Sequence, residues 1–268
     1  MKPHDWIAEL LSTYDQKPLI LVEGQDDSDL YKRLLGLVNP NWRDRFEVEG
    51  VGGKKRVFQG CRKVPTWRGL VDRDEWDEAK VTAAQIKTPN VQILPRFTAQ
   101  NYWINPNELW NLIPATIRDS NPGAQAWLVN KIEAQRTAWT AHGAMWRVML
   151  ECQSGLGNLG FPQELTNTPV TDETQILDIL TRWQNHFEPQ HIMGEYRSKR
   201  DAALMRVPDE QYLHVIHGKR FFRQVVTLAL DETFHSPRKT ANEWAADLVA
   251  SMTIVPMDLR PVLETLLE

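Results

Sequence analysis

The chain has 268 residues, 42% of them hydrophobic and 25% charged, and a net charge of −4. This composition excludes a disordered chain, a collagen-like repeat and a disulfide-stapled miniprotein. The charge excludes a uniformly basic coat for nucleic acid, but not a local basic patch. Cys61 and Cys152 are too few and too far apart for a zinc ribbon or a CxxC pair. No apolar run is long enough to cross a bilayer, and the opening MKPHDWIAELL carries Asp5 and Glu9 in place of an apolar signal core. A reduced, cytoplasmic protein with no membrane contact is expected.

In chain order, LILVE at 19–23 predicts a strand buried on both faces, ended by Gly24. Asp26, Asp27 and Asp29 then open a helix, in which Leu30, Leu34 and Val38 recur every four residues. FEVEGV at 46–51 alternates as a second strand, Gly52-Gly53 break it, and a helix follows from Lys54. WRGLV at 67–71 is a third strand candidate. VQILPRF at 91–97 is a fourth, with Pro95 marking its end or an edge. Strands alternating with helices over short connections imply right-handed crossovers and a parallel sheet.

The second half reads as helical. Residues 124–152 carry Trp127, Trp139 and Trp146 among Ala, Leu and Met, which predicts a core helix. Gly155, Gly157, Gly160, Pro162 and Pro169 predict a loop or linker over 153–172. Helical spacing returns at 176–187, 221–226 and 259–266. The expected fold class is α/β with a mostly parallel sheet over residues 1–112, followed by a mostly helical region over 113–268.

Three acids stand at strand ends. Glu23 closes the first strand, and Asp72 and Asp74 close the third in GLVDRDEW. Ligands of parallel sheets bind beyond the carboxyl ends of the strands, so these acids are expected at one rim. Asp72 and Asp74, two apart, are expected on one side of an extended segment. Converging carboxylates repel one another, and a divalent cation relieves that repulsion. Mg²⁺ suits oxygen ligands, and Mn²⁺ is an alternative. The competing reading is structural: acids after strands also cap helices and hold turns, and Asp27 fits that role. Residues 54–68 add Lys54, Lys55, Arg56, Arg62, Lys63 and Arg68 with no acid among them, either a solvated helix face or a surface for a polyanion.

These residues resemble a known family. Leu19 to Leu30, with Glu23-Gly24 and Asp27, is similar to the first motif of the TOPRIM domain shared by topoisomerases, primases and OLD-type nucleases. VDRDEW is similar to its DxD motif. VGGKK at 51–55, QNYWINPNEL at 100–109 and HGKRFF at 217–222 resemble a stand-alone OLD-like TOPRIM family found with ABC-type ATPases in phage defence. The resemblance implies a Rossmann-like core over roughly the first 110 residues. It implies Glu23 as a metal ligand or general acid/base, Asp72 and Asp74 as Mg²⁺ ligands, and Asp27 as a supporting ligand. Lys54 and Lys219 would contact phosphate, with Arg220 beside Lys219. One departure stands out. Gln100 occupies a position where many relatives are expected to carry an acid before Asn-Tyr, which puts in doubt any second metal site that such an acid would serve. Asn101 and Tyr102 are expected to hold the local turn.

Other chemistries are poorly served. The 50–56 segment lacks the GxxxxGK[ST] spacing, so the chain alone is not expected to hydrolyse ATP. The histidine pairs 214/217 and 186/191 have no convergent ligands, and no GxSxG elbow occurs. Two readings stand. The first is a metal-dependent nuclease acting on DNA or RNA. The second is a weak or silent regulatory module whose helical half docks on an ATPase or on a second copy of the chain, a homo-oligomer. Nucleotidyl transfer or topology control ranks last.

Overall fold

The computed structural model describes residues 5–15, 17–167, 171–235 and 239–268. Helix α1 (Trp6–Thr13), capped by Asp5, leads into strand β1 (Leu19–Val22). Helix α2 (Gln25–Val38), strand β2 (Glu47–Gly50), helix α3 (Lys54–Lys63), strand β3 (Arg68–Val71), helix α4 (Glu78–Lys87) and strand β4 (Val91–Ile93) follow in strict alternation. The four strands form one parallel sheet in the order β2-β1-β3-β4. The fold is therefore mixed α/β.

Burial explains why β1 has no polar residue. It lies between β2 and β3, and all four of its side chains are inaccessible. Leu19 and Leu21 join Val57, Cys61, Trp67 and Val71 in a core covered by α1, α3 and α4. Ile20, Val22 and Leu70 alternate with that set and face the opposite side, where α2 lies. The chain leaves β1 toward β2 and leaves β3 toward β4, in opposite directions. A crevice opens between two such neighbouring strands, at the carboxyl ends of β1 and β3.

Beyond β4 the chain is helical: α5 (Pro106–Leu112), α6 (Ala115–Asp119), α7 (Ala124–Asn158), α8 (Gln163–Thr166), α9 (Glu173–His186), α10 (Pro189–Leu204) and α11 (Pro208–His214). Then α12 (Gly218–Phe221) passes through a π-helical turn at Phe222–Val226 into α13 (Thr227–Phe234), followed by α14 (Ala241–Ser251) and α15 (Arg260–Leu267).

The expected loop over 153–172 is corrected. Helix α7 runs through Gly155 and Gly157, and the left-handed residue that ends the turn after it is Gly160. Residues 168–170 of that span lie outside the described residues. The tryptophans of α7 are not a buried core either: Trp127 is 39% exposed under Lys131, and Trp139 and Trp146 are half-buried.

The compact units do not follow the expected boundary at residue 112. One unit joins residues 1–134 to 217–268, and the other comprises 135–216. In the second unit, Gln211 is buried and satisfied on both ends of its amide. Its oxygen accepts from Arg136 and Thr140, and its nitrogen donates to the Leu204 and Arg206 carbonyls. In the first unit the C-terminal helices return to the sheet. Helices α14 and α15 pack on α2, and Arg33 donates to the Met252 carbonyl at 2.7 Å.

Arg96 fastens that return. Only 5% exposed, it donates to Glu108 of α5 at 3.0 Å, to Asp258 at 2.9 Å and to the Asn101 carbonyl at 3.1 Å, and lies over the Tyr102 ring. Charge-assisted hydrogen bonds contribute more than neutral ones, so Arg96→Met is expected to lose about 2–3 kcal/mol of stability in urea unfolding. A loss below about 0.5 kcal/mol would show that apolar packing alone holds the C-terminal segment in place.

Candidate active site

Glu23 follows the last residue of β1 and turns across the rim of the sheet. Its Oε1 accepts from the Asp72 amide at 2.9 Å, and its Oε2 accepts from the Lys54 amide at 3.0 Å. Its carbonyl accepts from both Gly52 and Gly53 at 2.9 Å. Those glycines have φ of +83° and +125°, a pair of conformations that side-chain-bearing residues rarely adopt. The VGGKK segment thus wraps its amides around one glutamate and presents the first amide of α3 to its carboxylate. Two of those amides hold the Glu23 backbone and one holds its carboxylate.

Asp72 sits just past β3, where its Oδ1 accepts from the Ala99 amide at 2.9 Å. Asp74 comes close by a different route from the expected one. The strand stops at Val71, and Asp74 takes a left-handed φ of +51°, held by its amide donating to the Phe97 carbonyl at 2.7 Å. A turn, not an extended segment, places the second aspartate. The Lys54 ammonium contacts Asp74 Oδ2 at 2.6 Å and lies 3.9 Å from Glu23 Oε1. It also lies over the Trp76 ring at 4.5 Å.

Asp27, in the first turn of α2, accepts from the Gly24 amide at 3.1 Å, so it does cap the helix as the structural reading expected. It does more than that. The Gln100 side chain donates to it, and Lys219 faces it. Lys219 gets there because Gly218 has no side chain. A Cβ at Gly218 would stand 2.3 Å from Asn101 Oδ1 and 2.6 Å from Thr98 Oγ1. Asn101 is fully buried, and its Oδ1 accepts from both the amide and the hydroxyl of Thr98. The QNYW and HGKRFF segments therefore meet, and together they bring a cation to the acids.

The four carboxyl groups feel one another. Burial pushes the Asp72 carboxyl well above the ordinary range, and Asp27, Asp74 and Glu23 push it further. Glu23 is raised by burial, opposed by the Lys54 charge. Asp27 is raised by burial, opposed by Lys219.

The basic stretch divides. Lys54 belongs to the site, and Lys55 and Arg56 are exposed in the same first turn of α3. Arg62 and Lys63 are exposed in its last turn, roughly 12 Å further along the axis, where cations offset the negative end of the helix dipole. Lys219 and Arg220 are exposed on α12. Trp76, which covers the Lys54 ammonium, and Tyr31, buried within the field of Asp72 and Asp27, are neighbours that spacing alone did not single out. An aromatic two residues after DxD was the available signal for Trp76.

The donor set fits a hard divalent cation in chemistry, since Glu23, Asp27, Asp72 and Asp74 offer only carboxylate oxygen. In geometry, no group of three or more acidic, histidine or cysteine side chains among the described residues stands gathered as an ion's ligands. The Lys54 ammonium is the cation between Asp74 and Glu23.

Carboxyls with raised pKa values hold protons in the folded state that the unfolded chain has lost. Their stabilising effect is full below the ordinary carboxylate pKa and is lost as pH rises through the raised values. Asp72→Asn keeps an acceptor for the Ala99 amide and removes the charge. In metal-free buffer at pH 7 it is expected to raise Tm by about 2–4 °C, the change that ~1 kcal/mol makes in a chain of this size. Near about pH 4 the two proteins should melt together. A lower Tm for the variant at pH 7 would contradict carboxylate crowding.

Comparison of the chain with protein-family models and with curated proteins finds no match to either.

Proposed function

We propose that the chain is a metal-dependent hydrolase of nucleic-acid phosphodiester bonds, built on a TOPRIM-like core. One observation carries this reading. Glu23, Asp27, Asp72 and Asp74 lie beyond the carboxyl ends of β1 and β3 within electrostatic reach of one another, not yet gathered as ligands, with Lys54 and Lys219 facing them. Carboxylates crowded at a sheet rim with two cations beside them suit a divalent ion together with a polyanion.

In this reading Glu23, Asp72 and Asp74 would hold Mg²⁺ or Mn²⁺, with Asp27 in support. Such an ion would supply an activated water and offset negative charge on the phosphate. The protein contributes the rest. The Asp72 and Lys54 amides fix Glu23 in orientation, and Trp76 keeps the Lys54 ammonium at the rim. Lys54, released from Asp74, meets a phosphate oxygen. Lys219 steadies a neighbouring phosphate, and Lys55, Arg56 and Arg220 add exposed positive charge. The resemblance to stand-alone OLD-like TOPRIM proteins supports a cytoplasmic role in phage defence beside an ABC-type ATPase. Among the described residues no helix is long and apolar enough to cross a membrane.

The test incubates purified protein with labelled single- and double-stranded DNA and RNA in Mg²⁺ or Mn²⁺. Cleavage is expected, abolished by EDTA and reduced about 100-fold or more in Glu23→Gln and Asp72→Asn. Cleavage at the parental rate in both variants would overturn the assigned roles.

A second reading, a silent regulatory module, is favoured by the Lys54 ammonium already bridging Asp74 and Glu23. Isothermal titration with Mg²⁺ separates the two. The module predicts no heat at millimolar metal and a gain of binding in Lys54→Ala. The hydrolase predicts binding by the parent chain.

A further inference from the structure

A cavity of about 370 Å³ opens beside the carboxylates, walled by α2, the Gln100–Trp103 segment, the turn after α12 and helix α14. All of these belong to one compact unit. The volume lies in the range of small-ligand sites. Asp27 is common to the cavity and to the acid cluster.

Its lining is divided by chemistry. Trp103 and Phe222, 2% and 3% exposed, pack edge-to-face with ring centroids 6.0 Å apart and form an apolar floor that shows the cavity only a narrow strip of ring. Opposite, α14 contributes Ala245, Ala246 and Val249, small side chains that leave the space open. Two carboxamides, Gln100 and Asn242, offer both donors and acceptors. Lys219 and Arg223, both exposed, supply positive charge, and Asp26, Asp27 and Asp29 of α2 line the same cavity, Asp27 beside Lys219. The indole Nε1 of Trp103 has no hydrogen-bond partner among the described residues, and it is sealed behind the cavity wall.

We infer that this cavity receives one unpaired nucleotide of a single-stranded nucleic acid, its base against Trp103 and Phe222 and its phosphate at Lys219 and Arg223. The inference rests on the phosphodiesterase reading and names the substrate class. A planar heterocycle with hydrogen-bonding edges matches an apolar floor flanked by two carboxamides. A volume of about 370 Å³ has room for one nucleotide and not for a stacked, paired duplex. The shared Asp27 then sets the neighbouring phosphodiester at the carboxylates, and the base pocket positions the strand for cleavage beside it.

The test is isothermal titration of the full chain with AMP, CMP, GMP and UMP in EDTA, so that no turnover is needed. Ribose 5-phosphate and adenosine serve as half-ligands. At least one mononucleotide is expected to bind in the sub-millimolar range, with each half-ligand about tenfold weaker or more. Ala246→Trp fills the cavity from an exposed position of α14 and should abolish binding. Arg223→Ala, also exposed, should weaken mononucleotide binding about tenfold while leaving adenosine unaffected. Circular dichroism confirms folding of both variants. No mononucleotide binding at millimolar concentration, or binding that Ala246→Trp and Arg223→Ala leave unchanged, overturns the pocket. Mononucleotide binding in a protein that cleaves no polynucleotide leaves the pocket standing and removes the hydrolase. Cleavage without mononucleotide binding does the reverse.

Discussion

The carboxylate of Glu23 is the constraint around which the sheet rim is organised. It sits where β1 ends, half-buried, and an acid placed there loses most of its water. Solvation is replaced by backbone: two amides at its oxygens and two more at its carbonyl, drawn from a loop and from the end of β3. Fixed dipoles of this kind hold a charge without the reorganisation that water requires. The arrangement also joins three parts of the chain, since β1, the glycine pair and Asp72 all meet at one side chain. Position 23 thereby combines a structural duty with the chemistry proposed for it.

The surrounding charges follow from that anchor. Asp72 is drawn in because its amide serves Glu23, and its own carboxylate is then crowded by Asp27 and Asp74. Crowding of like charge destabilises a fold, and proteins keep such clusters where a partner of opposite sign is to be bound. Here two lysines from distant segments moderate the repulsion, Lys54 at Asp74 and Lys219 facing Asp27. Both belong to segments whose glycines permit close approach. The left-handed Asp74 adds a modest conformational cost at the same place.

Much of the sheet was legible because its signals are local. An unbroken apolar run at 19–22, a glycine pair after 46–51 and a proline after 91–94 each mark an element by composition alone, and the observed strands fall within those spans. The convergence of Glu23 and Asp72 followed from parallel strands having a common rim. What escaped was set by distance in the chain. Helix α7 runs on through Gly155 and Gly157, whose weak helix propensity reads as a linker, because its length and packing outweigh that propensity. The return of residues 217–268 to the sheet depends on Arg96 reaching Asp258, 162 positions away, which no periodicity reveals. The turn at Asp74 depends on a carbonyl from another segment, Phe97, and alternation cannot supply it. The cavity was invisible for the same reason: its walls come from α2, the 100–103 segment, the 219–223 segment and α14.

The division of the chain into a unit that closes on its own tail bears on synthesis. The strands and Glu23 leave the ribosome first, but Lys219, Arg223, α14 and Asp258 emerge only after the whole of residues 135–216. Until then the growing polypeptide has Lys54 for Asp74 and Glu23, but not the Lys219 that faces Asp27 or the α14 wall of the cavity. In the order of synthesis, the acids and Lys54 are therefore made well before the Lys219 that faces Asp27 and the α14 wall of the cavity.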